Sequence, residues 1–297
     1  MSDPASGDRE ALGTVERCYR HPGEETRIHC TRCNRPICPA CMIPAPVGHH
    51  CPECVAEAKR AFRLDPQRRA RSVARMSATR LLLLVLVAVF AIEVALSHGD
   101  ALVIGFSSIS NRFARTLTQM GALVPPLVAR GQWWRLFTAM FLHIGLLHLA
   151  MNGYALWLFG DFVERGFGRL QMLFLFLLSG WLGGVTSYAF GSGGAGASGA
   201  IFGLFGAFIA YNLRRRGTVL ASANLRLAVT LLVINAVFAL GVRQIDWHAH
   251  LGGLVAGFVA GWLLEGVGPA AIHAAVRVAG IGAMIALGVA VMVAKGV

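Results

Sequence analysis

Seven stretches of this chain are long and apolar enough to cross a bilayer, and they constrain the fold more than any other feature. They cover about residues 80–97, 141–160, 170–190, 198–213, 226–242, 248–265 and 272–294. A spanning helix needs about 20 apolar residues, because inside the bilayer every backbone N–H and C=O must find its partner within the helix. The expected class is an all-α polytopic membrane protein. A hydrophobic fraction of 56% against 14% charged residues is too apolar for an ordinary soluble domain.

Charge and cysteine are distributed unevenly. Residues 1–80 carry 14 of the 27 Lys+Arg, 9 of the 15 Asp+Glu and all seven cysteines. A small polar head therefore precedes the membrane part, and the start reads as lacking a secretory signal peptide. The formal charge of +12 invites a nucleic-acid reading, but arginines flanking apolar segments set orientation instead. Arg68, Arg69, Arg71, Arg75 and Arg80 precede the first span and put the head in the cytoplasm. Arg165, Arg169 and the run Arg214–Arg216 then fall on the same inner side, while Lys295 falls outside, against the trend. Arginine outnumbers lysine 25 to 2, a bias of GC-rich bacterial genomes that points to a bacterial plasma membrane.

Counting spans brings chemistry together. Spans four and six both run inward, so Ser198 and His250 each begin a helix at the same outer depth. A serine hydroxyl attacks well only when a base takes its proton, and His250 is the candidate base. Gly253, Gly257 and Gly261 follow His250 on its face, and Gly199, Gly203, Gly206 and Ala210 form a similar small-residue stripe on span four. Such stripes let membrane helices approach closely; packing alone is their blander explanation. His148 and Asn152, four residues apart on one face of span two, are candidate donors to an oxyanion, the alternative being a bond between helices. The membrane part has only six acids: Glu93, Asp100, Asp161, Glu164, Asp246 and Glu265. Asp246 reads as a solvated loop residue, so a Ser–His dyad is expected. Residues 98–140 are too long for a simple loop and suit a partly embedded hairpin, with Trp133-Trp134-Arg135 at headgroup level.

Trp134-Arg135, His148-xxx-Asn152, Gly196-x-Ser198-Gly199 and Ala249-His250-xx-Gly253 together resemble the signature set of rhomboid intramembrane serine proteases, in the family's order. The resemblance covers about residues 80–265. It implies a six-helix core with Ser198 as nucleophile, His250 as general base, and His148, Asn152 and the Ser198 amide as the oxyanion hole. Trp134 and Arg135 would hold the first-loop hairpin in a structural or lipid-facing role. Gly196, Gly199, Gly253 and Gly257 would be structural, as would Glu164-Arg165 on the inner side. His143 is assigned to packing. The implied substrates are single-span membrane proteins cut in or near the spanning segment. The seventh span, residues 266–297, is similar to the family's six-plus-one form.

The head reads Cys18-x2-His21, Cys30-x2-Cys33, Cys38-x2-Cys41 and Cys51-x2-Cys54. Eight ligands suffice for two tetrahedral zinc ions in a structural role, and seven cysteines in a cytoplasmic segment argue against disulfides. Alternating ligation would put Cys18, His21, Cys38 and Cys41 on one ion and Cys30, Cys33, Cys51 and Cys54 on the other. His49 or His50 could displace one of the last cysteines. The spacing of residues 1–60 resembles a B-box-type cross-brace zinc finger, which implies a cytoplasmic protein partner. No thioredoxin-like pattern supports redox chemistry, and nothing suggests nucleic acid. Residues 61–79 read as a basic linker, and catalysis needs no cofactor. The rival reading is a catalytically silent relative that binds transmembrane helices. A transporter is disfavoured, since the halves show no repeat.

Overall fold

The computed structural model describes residues 16–45, 48–57, 77–103, 109–241, 245–265 and 270–297, with backbone alone at 236–241 and 270–273. The expected basic linker lies outside the described residues up to residue 76. Residues 1–76 and 77–297 are two separate compact units.

The first unit is built from two minimal antiparallel pairs. Strand β1 (Glu16–Arg17) pairs with β2 (Glu25–Thr26), and β3 (Ile43–Pro44) pairs with β4 (His49–His50). Two-residue strands cannot hold a fold by themselves. The buried core is Ile37 with Cys18, Cys30, Cys38, Cys41, Cys51 and Cys54, while Cys33 is exposed. A core of thiols with so little aliphatic surface needs another source of cohesion.

The second unit is helical, and a helix answers each expected span. In chain order they are α1 (Ala78–Leu96), α2 (Asn111–Met120, in the long connection), α3 (Leu146–Phe167), α4 (Arg169–Ala189), α5 (Ser198–Arg214), α6 (Val219–Gly241), α7 (Trp247–Glu265) and α8 (Ala270–Ala294). Among the described residues, α1, α4, α7 and Ala274–Ala294 are each long and apolar enough to cross a membrane. Helix α3 joins the preceding Arg135–Phe141 in a pair bent by 92°. It starts later than the expected 141, because Gly145 has φ of +96° and its Cα faces the Val103 carbonyl, where a Cβ would come within 2.6 Å. Helix α6 begins at Val219 rather than 226. Hydropathy misses those first two turns or so because Ser222 and Asn224 dilute them.

Side-chain caps place α1. Glu164 on α3 accepts from the amides of Ala78 and Thr79 at 2.8 and 2.9 Å and from the Thr79 hydroxyl at 2.8 Å. One carboxylate thus satisfies two of the orphan donors at the start of α1. The described part of the long connection packs on the bundle. Arg135 is buried at 6% exposure; its Nε donates to Gln132 at 2.7 Å and its Nη1 to the carbonyls of Thr118 and Ala122 at 2.7 and 2.8 Å. It binds the end of α2 to the turn before α3, while Trp133 and Trp134 point outward.

Helices α4, α5 and α7 form the tightest part of the bundle. A methyl group on Gly253 would strike the Gly199 carbonyl, and one on Gly257 the Gly203 carbonyl. Small-residue contacts of this kind stand in for hydrophobic association inside a bilayer. Gly257→Leu is therefore expected to separate α5 from α7 and cost about 3 kcal/mol or more, at the upper end of overpacking penalties. Thermal unfolding in detergent would check this, with exposed Gly217→Ala as a neutral control; Gly217 has open space around it.

Candidate active site

The α5–α7 contact sets the polar groups. Ser198 occupies the first turn of α5, and His250 lies one turn into α7. His250 Nε2 and Ser198 Oγ are 2.7 Å apart. The imidazole stacks on Phe202, one turn after Ser198, with ring centroids 4.3 Å apart and planes 13° from parallel. Stacking leaves the ring only in-plane freedom, so its nitrogen stays aimed at the hydroxyl. Being at the helix start, Ser198 also keeps a backbone N–H with no partner in the preceding turn.

The glycine-rich approach is pinned from two sides. Leu123 and Gly194 exchange both backbone hydrogen bonds, at 2.9 and 3.0 Å, and the Gly196 amide donates to Ala139 at 3.0 Å. Gly196 adopts φ of +150°, and a Cβ there would sit 2.7 Å from His148 Cε1 and 3.1 Å from its Nε2. Only glycine admits both this backbone and that ring. His148 Nδ1 accepts from the Ile144 amide at 3.2 Å. Asn152 is buried and spends one amide hydrogen on the His148 carbonyl at 2.9 Å; its NH2 carries a second. Ser198, His250, His148 and Asn152 all line one cavity of about 230 Å³. Leu136, Met140, Met151 and Phe202 supply much of its apolar wall.

Asp246 is a correction to the sequence reading. It is a mostly buried clamp rather than a solvated loop residue, with a side chain 16% exposed. Its carboxylate accepts from the Ala249 amide at 3.2 Å, capping α7, and from the Ser187 hydroxyl on α4. These bonds fix the entry of α7 and leave His250 without a carboxylate on its ring among the described residues. The sequence did carry the signal: an aspartate three residues before Ala249, at the head of an apolar run, is a helix N-cap. Asp246→Ala should lower stability by about 1–3 kcal/mol, the sum of a lost cap and an orphaned hydroxyl. Combining it with Ser187→Ala should fall short of additivity in the same thermal assay. A second serine–histidine contact joins Ser192 Oγ and His248 Nδ1 at 2.8 Å, with the His248 ring stacked on Phe190. No sequence argument singled it out.

In the first unit the eight ligands gather as two sets: Cys18, His21, Cys38 and Cys41, and Cys30, Cys33, Cys51 and Cys54. Within each, the ligand atoms lie within 4.8 Å of one another. His21 Nδ1 stands 3.3, 3.4 and 3.8 Å from the sulfurs of Cys38, Cys41 and Cys18. Two zinc bonds of about 2.0–2.3 Å at a tetrahedral angle span roughly 3.3–3.8 Å, so the donor set fits that ion. His49 and His50 lie in β4 and belong to neither set. Burial pushes the thiols of Cys18, Cys30, Cys41 and Cys54 upward, but only two end high. In Cys41 and Cys54 neighbouring thiols add to burial and raise them to about 11 and about 12. In Cys18 and Cys30 backbone N–H donors outweigh it and lower them to about 6. A site that favours some thiolates and resists the rest is one a bound cation completes.

The comparisons with known proteins fall on the helical unit. Residues 130–266 match the Rhomboid domain. Rhomboid protease GluP of Bacillus subtilis is 40% identical over 148 residues, covering 49% of this chain and 29% of GluP. RHOMBOID-like protein 6, mitochondrial, of Arabidopsis thaliana is 39% identical over 158 residues, half of each chain. The putative rhomboid protease YdcA of B. subtilis is 34% identical over 144 residues, 46% of this chain and 69% of YdcA. The chain belongs to the rhomboid family, as an integral membrane protein of all-α, multi-span architecture. Its match spans half or less of GluP and of RHOMBOID-like protein 6.

Proposed function

We propose that this protein is an intramembrane serine endopeptidase that cuts single-span membrane proteins in or near their spanning segment. The observation that carries the reading is the 2.7 Å contact between His250 Nε2 and Ser198 Oγ at the wall of a cavity within the bundle. His250 takes the hydroxyl proton as Ser198 Oγ attacks the scissile carbonyl carbon. The oxyanion that forms is met by the Ser198 amide, His148 and the second Asn152 hydrogen, donors that need no reorganisation. His250 then returns its proton to the leaving nitrogen, which separates the first product and leaves an acyl-serine. Water, deprotonated by the same histidine, releases the second.

Family membership supports this reading, and so do the named protease relatives. The head completes the proposal: two structural zinc ions on the two ligand sets, in a cytoplasmic domain at residues 1–60 that docks a protein partner. Residues 61–79 would be its linker, 80–265 the catalytic core and 266–297 the added helix, in a bacterial plasma membrane. The test is purified protein in liposomes with a single-span substrate whose spanning segment carries helix-breaking residues near the outer face. Cleavage there, lost when the segment is made a continuous leucine helix, is the expected result. Binding of both substrates without cleavage would make the protein a silent helix-binding relative instead.

A further inference from the structure

Glu93 sits near the end of α1, 55 residues before His148 in sequence, and is fully buried. One carboxylate oxygen accepts from the His143 amide at 3.0 Å, and the other has no partner among the described residues. A buried carboxyl with one orphan oxygen is costly, and a leucine would fill that place at less cost. Its single bond goes to a consequential place. His143 opens the bend 143–145, where two further amides are committed: Ile144 to His148 Nδ1 at 3.2 Å, and Leu146, just beyond, to the Val103 carbonyl at 3.0 Å. His143 is itself fully buried, its ring edge-on to His148 with centroids 5.4 Å apart. Because the Ile144 amide donates to Nδ1, that nitrogen presents its lone pair and the ring proton resides on Nε2, the nitrogen that borders Gly196 beside Ser198.

We propose that Glu93 is a positioning residue for His148: it anchors the 143–145 bend so that the Ile144 amide holds His148 as the Nε2–H tautomer, a donor facing the nucleophile. The proposal rests on the peptidase reading for its consequence in turnover, but not for the tautomer. The Glu93→Gln variant keeps an acceptor for the His143 amide, whereas Glu93→Leu has nearly the same size and none. In the full-length protein carrying 15N-histidine, His148 assigned by its loss in His148→Ala should show the Nε2–H pattern in wild type and E93Q. In E93L it should show a mixture of both tautomers. On a single-span substrate, E93L should lose about 10- to 100-fold in kcat with KM within twofold, and E93Q should stay within threefold of wild type.

An unchanged His148 tautomer in folded E93L overturns the proposal, even if activity falls, since that pattern marks a structural role alone. If E93L does not fold, E93Q decides: a mixed tautomer or a tenfold loss in that variant overturns the claim equally. Should wild type cleave nothing, the peptidase reading fails while the tautomer shift still judges Glu93.

Discussion

With Ser198 replaced by alanine, a transmembrane substrate that wild type cleaves should remain intact, with the rate falling by roughly 10⁴-fold or more. The magnitude follows from what is lost. The cavity and the His148, Asn152 and backbone donors all survive the change, so some stabilisation of an oxyanion persists. The nucleophile within bond distance of His250 does not. Removing the base instead, His250→Ala, should cost a similar factor, and the double variant hardly more, because the pair acts as one unit. Truncating Asn152 is a milder lesion, about 10²- to 10³-fold, as for a single oxyanion donor. A ranking of Ser198 and His250 together, then Asn152, is the expected kinetic signature of the site. Gel-based rates in liposomes would read it.

Loss of the proposed zinc ions should be the most destructive change to the first unit. Apart from Ile37, its buried core consists of cysteines, and its strands are two residues long. The ligand sets interleave along the chain, so each ion would tie segments far apart in sequence. Structural zinc sites contribute about 10–16 kcal/mol of apparent binding free energy at neutral pH, far more than these strands can supply. Purified full-length protein should carry about two zinc ions per chain, and Cys38→Ser should carry one or fewer. Chelation should also make residues 16–57 sensitive to protease while the helical unit stays resistant. Full resistance after chelation, or no bound metal in protein purified without chelators, would contradict the account of this unit.

Much of this architecture is legible in the sequence because membranes impose one-dimensional rules. Length and apolarity mark the spans, and their count places Ser198 and His250 at one depth. The 3.6-residue period aligns Gly253, Gly257 and Gly261 on the face that meets α5. What hides from the sequence is what depends on a partner far along the chain. Glu93 reads as a stray acid inside an apolar run, since its partner amide lies 50 residues on. The cap that Asp246 makes is readable, but its second bond is not, since Ser187 belongs to another helix. The late start of α3 depends on a carbonyl of Val103 that no periodicity reveals. Spacing identifies the four ligand pairs of the head, and the alternating sets expected from it are the ones that gather in three dimensions.

The most direct test of the central claim is to label the intact protein in membranes with a fluorophosphonate and map the adduct by mass spectrometry. The account predicts one modified serine, Ser198, with labelling lost in His250→Ala and blocked by a competing substrate. An unmodified Ser198 in protein that cleaves, or equal labelling without His250, would contradict it.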